Sequence, residues 1–377
     1  MKQSVVAIIR PHLNLSQKES EASHLIEHIL TTPKRLEKMG ISAYFYADNI
    51  IYNGGVVNDF YLAEYYIVKS DVADVVMKLL SKHSGDLFLD RSDFVKIKST
   101  LIEELHENKG EFIGRGEQLS RVIYTVDSPT VRNPWDNLES IVDISFDKTV
   151  EIFQKYNTNL TSMQLSFGNY TIDKLPLIER NTLCAPNQTI ELTHPWESLN
   201  CTDVSHIMPL PQNIDFVVAM IYRRSLTDLR FGLLQNKLRH KQGMVYDISI
   251  DTDYNNNTSE IYFSSSEENS DKITQIIKLS LTEYEQFINN NINYIVGRLI
   301  LEFELDWGDI QNSCLEVIDR VICGGITETP ASMIKKMKAV TIQDLSQFNR
   351  LFLNSLHHEA ITIKRRYGKK VATLNAN

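Results

Sequence analysis

The sequence predicts an α+β protein of two similar domains, each an antiparallel-dominated β-sheet with helices packed on one face. Two observations indicate this class: an order of strand and helix patterns that recurs in the second half, and a proline-bearing segment between the halves. The chain has 377 residues, of which 42% are hydrophobic and 23% charged, so each domain is long enough to bury a core. We therefore expect domains at 1–172 and 213–377, joined by a linker at 173–212.

The elements of the first domain follow from apolar periodicity. An apolar strand opens the chain, and the next helix is expected to start at the capping pattern Ser16 to Glu19 and to end at Pro33. Adjacent strands are expected in ISAYFYADNIIY and YLAEYYIV, on either side of the turn NGGVVND. Apolar residues then recur at helical spacing in VADVVMKLLSKH and FVKIKSTLIEELHENKGEF, which predicts two helices. A further helix and a strand are expected at the end of the domain.

The second domain is predicted to repeat this order after a segment with little periodicity. The linker is indicated by five prolines, Pro176, Pro186, Pro195, Pro209 and Pro211. After it we expect a strand in DFVVAMIYRR, a helix in RFGLLQNKLRHKQG, and strands in YDISIDTDY and SEIYFSSS. Several helices follow, and the last strand is expected in EAITIKRR.

Charge and hydropathy exclude two classes of partner. The net charge is −9 and no long basic stripe is present, which argues against a nucleic acid partner. No apolar run approaches the roughly 20 residues that span a bilayer, so no membrane association is expected. Arg10 and Pro11 interrupt the apolar run of the opening segment, so this segment does not resemble a signal peptide. The four cysteines lack the C-x-x-C spacing of a thiolate metal site. We therefore expect a cytoplasmic protein with reduced thiols.

A cluster of chemically active side chains lies in SEASHLIEHILTT. His24, Glu27 and His28 stand at positions i, i+3 and i+4, so on a helix they project from one side. H-x-x-E-H is the inverted zincin arrangement, in which two imidazoles bind zinc and the carboxylate takes a proton from water. A chance polar patch on a helix is the alternative interpretation.

A catalytic zinc ion needs a third protein ligand from elsewhere in the chain. The best source is LIEELHE, which offers Glu103, Glu104 and Glu107 on the second long helix of the same domain.

These motifs resemble the pitrilysin/insulinase family of zinc peptidases, which includes mitochondrial processing peptidase. In that family H-x-x-E-H is followed after about 75 residues by a glutamate at the end of F-x-K-x-R-x-x-x-x-x-E. FVKIKSTLIEE fits this frame and places Glu104 76 residues after His28. The resemblance implies that His24, His28 and Glu104 bind zinc, that Glu27 is the general base, and that the chain is similar to half-size bacterial members.

Two further segments match the same family. GGVVNDFY resembles its G-G-x-x-N-A-x-T turn and strand, which implies that Gly54, Gly55 and Asn58 contact an extended peptide substrate. An ordinary hairpin turn is the alternative interpretation of the two glycines. KLRHKQGMVYDI resembles the L-R-x-K-x-G-x-x-Y signature, which implies that Arg239 and Tyr246 reach substrate. A guanidinium and a phenol suit a peptide carbonyl or oxyanion, but a helix C-terminus with basic residues in its last turn explains the same pattern.

Several positions depart from the family. Asp59 and Tyr61 replace the commoner alanine and threonine after Asn58, which puts the fit of the substrate in doubt. Relatives usually carry a supporting glutamate seven residues before the third ligand, where this chain has Ile97. We expect reduced metal affinity or rate, because outer-shell carboxylates commonly matter by about 10–100-fold.

Three functions remain open from the sequence. The first is a zinc metalloendopeptidase that cleaves short or unfolded peptides, bound as an edge strand in a closed chamber. The second is a non-catalytic, processing-peptidase-like subunit that binds peptide or a partner peptidase, and the third is an unrelated α+β protein with an accidental polar patch. The resemblance also implies a homodimer, or a heterodimer with a related subunit, in which the second domain of one chain serves the zinc of the other.

Overall fold

The structure is a computed structural model, and its described residues fall into two compact units. It describes residues 3–12, 15, 19, 22–57, 61–115, 121–124, 129–132, 140–166, 169–172, 188–195, 201–211, 215–253, 258–306 and 330–368. The first unit consists mainly of Met1–Ile123 and Pro129–Glu179, and the second mainly of Arg180–Glu304 and Ala331–Asn377. Among the described helices, none combines the length and the apolar character needed to cross a bilayer.

The first unit is built on an antiparallel sheet. Its strands are β1 (Gln3–Pro11), β2 (Ile50–Val57), β3 (Tyr61–Lys69), β6 (Thr161–Ser166) and β7 (Asn169–Ile172); β4 (Arg121–Tyr124) and β5 (Pro129–Arg132) pair separately. The order is β2-β3-β1-β6-β7, and every neighbouring pair is antiparallel. In the part of the chain that the structure describes, β2 is therefore an edge strand.

Helices of the first unit bring two distant motifs together. They are α1 (Ser23–Leu30), α2 (Pro33–Met39), α3 (Ser42–Tyr46), α4 (Ala73–Lys82), α5 (Arg91–Arg115) and α6 (Phe146–Tyr156). An apolar cluster joins α1 to α5 through Ile26 and Ile29 on one side and Phe94 and Leu101 on the other. Because these side chains are buried, the polar faces of the two helices are held at a fixed position relative to each other.

One predicted strand of the first unit is only partly correct. ISAYFYADNIIY contains the short helix α3, and the strand begins only at Ile50. No residue of α3 is fully buried, so its aromatic rings do not mark a core strand. Pro33 ends the motif helix as expected, because it stands at the first turn of α2.

The second unit contains another antiparallel-dominated sheet, which confirms the predicted fold class. Its strands are β8 (Gln188–Pro195), β9 (Cys201–Pro209), β10 (Ile248–Asp253), β11 (Thr258–Ser265) and β12 (Ile361–Gly368). The order is β10-β11-β9-β12-β8, in which β12 and β8 are parallel and the other pairs antiparallel. The helices are α7 (Phe216–Thr227), α8 (Glu267–Thr282), α9 (Tyr284–Asp306), α10 (Pro330–Ala339) and α11 (Ile342–His358), with a π-helix at Gln235–Lys241.

Two predictions for this unit are wrong. The range 173–212 is not simply a linker, because β8 and β9 lie in it and belong to the sheet. Pro195 and Pro209 are the last residues of those strands, where a missing N–H costs the ladder little. DFVVAMIYRR forms α7 and not a strand, and most of α7 is buried, so its sequence shows no polar face from which a helical period could be recognised.

Candidate metal centre

The motif helix separates an apolar side from a polar side. Leu25, Ile26, Ile29 and Leu30 of α1 are buried. His24, Glu27 and His28 remain partly exposed, with side-chain exposures of 33%, 17% and 25%. The three side chains therefore share one accessible face, as the i, i+3, i+4 spacing predicts.

The long helix α5 brings Glu104 to this face. His24 Nε2 and His28 Nε2 lie 3.3 Å apart. The Glu104 carboxylate lies 3.3 Å from His28 Nε2 through Oε2 and 3.8 Å from His24 Nε2 through Oε1. Glu27 Oε2 lies 3.7 Å from His28 Nε2. Among the glutamates whose side chains the structure describes, Glu104 is grouped with the two histidines and Glu103 is not. The side chain of Glu107 lies outside that description.

This arrangement fits a zinc ion. Ligand atoms around one tetrahedral zinc stand roughly 3.3–3.6 Å apart when each bond is about 2.0–2.2 Å long. The three distances among His24, His28 and Glu104 are 3.3, 3.3 and 3.8 Å, so a single ion can contact all three groups after small side-chain adjustments. Two imidazoles and one carboxylate are also the donor set of a catalytic zinc site with one position left for water or substrate.

The protonation states favour this chemistry. Burial lowers the pKa of His24, and the neighbouring His28 lowers it further against the opposing effect of Glu104. His24 therefore tends to stay neutral, which is the form of imidazole that binds metal. Burial also raises the pKa of Glu27, and Glu104 adds to this, while His28 and a hydrogen bond from the Gly55 N–H oppose it. A carboxylate with a raised pKa is better matched to accepting a proton near neutral pH.

The edge strand β2 lies directly against Glu27. A Cβ atom added to Gly55 would stand 2.2 Å from both Cγ and Oε1 of Glu27. No side chain larger than hydrogen fits there unless the strand or the carboxylate moves. The second glycine of the pair therefore lies within β2, not in a turn, and allows a close approach between this strand and Glu27.

Sequence reasoning missed a buried charge cluster beside this site. Arg10, Glu64 and Arg35 are almost fully buried. Glu64 accepts hydrogen bonds from both arginines, and Tyr66 Oη donates to it at 3.1 Å. Arg35 Nη1 also donates to the carbonyl of Leu30, the last residue of α1, at 2.9 Å.

Electrostatics keep this cluster charged. Burial favours the neutral form of Glu64, but the charges of Arg35 and Arg10 outweigh it and hold the pKa of the carboxyl below its usual value. Burial lowers the pKa of Arg10 to about 10. The cluster thus ties the end of the motif helix to the sheet. A lone charge inside each apolar run, as in AIIRP and YLAEYYIV, is the sequence signal that could have revealed it.

The remaining predicted residues have different outcomes. Asn58 lies outside the described residues, so its role stays a prediction. Arg239 and Tyr246 belong to the second unit, where the guanidinium carbon of Arg239 lies 4.9 Å from the centre of the Tyr246 ring. Tyr246 is 83% exposed, and its ring is held by a cation–π contact while its hydroxyl can meet a ligand. Their assignment to the zinc site stays a prediction as well.

The departure at Ile97 has a packing explanation. Ile97 is partly buried and packs against the apolar cluster that joins α1 to α5. The position therefore supports the packing of α1 against α5, and the expected effect on metal affinity stays a prediction.

Comparison with solved structures identifies the architecture. A protease from Helicobacter pylori is 11% identical, with 97% of this chain and 94% of that chain covered and a TM-score of 0.68. A peptidase M16 inactive domain from Pseudomonas fluorescens is 13% identical, with 98% and 93% covered and a TM-score of 0.62. The chain has the peptidase M16 fold.

A third M16-like structure and two sequence comparisons complete the result. A mutant of the ferredoxin protease FusC, in complex with Arabidopsis ferredoxin, is 11% identical, with 98% of this chain and 43% of that chain covered and a TM-score of 0.64. No protein-family model matches the sequence, and no curated protein matches it. At these identities the likeness establishes the fold, and activity must be argued from the site itself.

Proposed function

We propose that the protein is a zinc-dependent metalloendopeptidase that cleaves short or unfolded peptides, such as a peptide precursor or a leader. The observation that carries this proposal is the grouping of His24, His28 and Glu104, with Glu27 beside them and against the strand edge at Gly55. A set of groups this complete, drawn from three elements of the first unit, favours catalysis over an accidental polar patch.

Each residue has a distinct role. His24, His28 and Glu104 would hold zinc, which when bound lowers the pKa of water to roughly 7 and polarises a carbonyl oxygen. Glu27 accepts the proton of the attacking water and returns it to the leaving amine. Its half-buried position and raised pKa suit both transfers.

The substrate would bind along the edge of β2 that pairs with no other strand in the described part of the chain. An edge strand presents unpaired N–H and C=O groups, which bind an extended peptide whatever its side chains are. Gly54, Gly55 and Asn58 would contact the peptide backbone, and the approach of β2 to Glu27 would place the hydrolysed bond beside the base. Backbone groups within helices and interior strands are already hydrogen-bonded, so the substrate class is an extended or unfolded segment.

The second unit would complete the site from another chain. Arg239 and Tyr246 would donate hydrogen bonds to the oxyanion, and a symmetric homodimer would let each chain serve the other. A heterodimer with a related subunit is the alternative assembly. One similar structure is described as an inactive M16 domain, so a non-catalytic peptide-binding subunit is the competing function.

Metal content and hydrolysis, measured together, test the proposal. Protein purified with zinc should hold about one equivalent per chain by elemental analysis, and His28→Ala should lose most of it. Glu27→Gln is the matched control, because it should keep the metal and lose peptide cleavage, read by mass spectrometry on a peptide library. Equal zinc in wild type and His28→Ala would contradict the metal assignment, and an active Glu27→Gln would contradict the role of the base. A zinc-bound protein that binds peptide and cleaves none would be the non-catalytic subunit.

A further inference from the structure

The two adjacent glycines of β2 face different surroundings. In a strand, successive side-chain directions point to opposite faces of the sheet. The space that a side chain at Gly55 would take is occupied by Glu27, whereas the space that a side chain at Gly54 would take is occupied by aromatic rings. A Cβ atom on Gly54 would stand 2.9 Å from the Cε1 atom of Tyr52 and 3.0 Å from the hydroxyl of Tyr65. The face of the sheet on the Glu27 side of Gly55 is called the catalytic face, and the opposite face, which carries Tyr52 and Tyr65 beside Gly54, is called the aromatic face.

The aromatic face is formed by a pair of neighbouring rings. Tyr65 lies directly opposite Gly54 in the β2–β3 register, and its ring centre is 5.9 Å from that of Tyr52. Tyr65 is 6% exposed, so it supports the outer ring, while Tyr52 is 41% exposed. A tyrosine ring that is backed by a buried one and open on its other side offers a firm apolar surface.

The backbone limits where a peptide can use this surface. The β2–β3 register is irregular between Ile50 and Tyr52, so the regular part of the edge begins at Tyr52. A bulge of this kind interrupts pairing and redirects the strand. A peptide that pairs with β2 beside Gly55 therefore reaches the Tyr52 ring within its next few residues, before the regular edge ends.

We propose that Tyr52, backed by Tyr65, forms a subsite on β2 for an aromatic or large aliphatic side chain of the peptide. That side chain belongs to a residue beside Gly54 or Tyr52, on the face opposite Glu27 and at a fixed distance from the hydrolysed bond. Cross-strand aromatic contacts stabilise strand pairing, and here they set the register of the substrate. The inference rests on the proposed binding of peptide to β2, and it adds a preference that backbone pairing alone lacks.

A scan of phenylalanine through short alanine–serine peptides tests the subsite by cleavage. With zinc-loaded wild type, the cut should follow the phenylalanine at a constant offset as the residue is moved. Tyr52→Ala should lose this dependence, whereas Tyr52→Phe keeps the ring and should keep the dependence. Tyr46→Ala is the matched control, because Tyr46 is 85% exposed on α3 and outside the edge strand. Zinc content and thermal unfolding of each variant report whether the fold and the metal centre are intact.

Binding of the same peptides separates the subsite from the proposed catalysis. The Glu27→Gln protein should bind a phenylalanine-containing peptide roughly three- to tenfold more tightly than the all-alanine–serine peptide. Adding Tyr52→Ala should abolish that ratio. If no peptide is cleaved but the ratio follows Tyr52, the proposed hydrolysis fails and the subsite stands. A cut offset or a binding ratio that is the same in wild type and Tyr52→Ala overturns the subsite.

Discussion

Replacing Gly55 with alanine tests the contact between the strand edge and Glu27, the proposed general base. The new Cβ would stand 2.2 Å from Glu27 Cγ and Oε1 and 2.6 Å from Cδ, whereas ordinary contacts between such atoms are 3.4–4 Å. The carboxylate or the strand must therefore move by at least about 1.2 Å, and a misplacement of about 1 Å can cost about 100-fold in rate. Because the three atoms nearest the added Cβ all belong to Glu27, which is not one of the proposed metal ligands, we expect kcat/KM to fall about 100-fold while zinc content stays near one equivalent.

A neighbouring substitution is the matched comparison. Gly54→Ala makes the same chemical change one residue earlier, but its contacts of 2.9–3.1 Å are with atoms at the outer ends of tyrosine rings, which can shift by a few tenths of an ångström. Its loss of activity should be at least tenfold smaller than that of Gly55→Ala. Both variants are assayed by peptide hydrolysis, elemental analysis and circular dichroism. A folded, zinc-bound Gly55→Ala with wild-type kcat/KM would refute the steric reasoning, and so would equal losses in the two variants.

Three further expectations concern the buried charges, a buried histidine and assembly. Glu64→Gln leaves Arg10 and Arg35 without their counter-charge and should lower the free energy of unfolding by roughly 3–5 kcal/mol, measured in urea; a change below 1 kcal/mol would contradict the pairing. Burial lowers the pKa of His206 to about 4, and the charges of Lys278 and Lys364 add to this effect. As the pH falls, His206 therefore takes up its proton in the unfolded chain before it does so in the folded protein. The free energy of unfolding that the protein has above pH 6.5 should therefore decrease by about 3 kcal/mol as the pH drops from 6.5 to 4. In the His206→Asn variant this decrease should be smaller. Mixing Glu27→Gln with a variant changed at both Arg239 and Tyr246 should restore activity if sites are shared across a dimer; subunit exchange without recovery would exclude shared sites.

Local patterns predicted the site better than they predicted the fold around it. H-x-x-E-H needs only the helical period to place His24, Glu27 and His28 on one face, and the structure confirms that placement. The grouping of Glu104 with them depends on how α5 packs, and this came from the family resemblance, since periodicity alone left three glutamates open.

The errors arose where burial removes the usual signals. α7 is buried over most of its surface, so its β-branched and apolar run resembles a core strand. Prolines at the ends of β8 and β9 resemble a linker, because strand ends and linkers both tolerate a missing N–H. The cluster of Arg10, Arg35 and Glu64 joins three separate segments. A lone charge in an apolar run indicates that a charge is buried, but local sequence does not show which distant residue pairs with it.

The open edge of β2 also bears on how the protein behaves at high concentration. Among the described strands, β2 pairs only with β3, and its exposed apolar side chains at Ile51 and Tyr52 lie on that edge strand. Such an edge is a template for any extended chain, including a partly unfolded copy of the same protein. The irregularity between Ile50 and Tyr52 shortens the regular stretch that a second copy could use. The edge that we propose for peptide binding is thus also an aggregation hazard, and the irregularity restricts how far such unwanted pairing can extend.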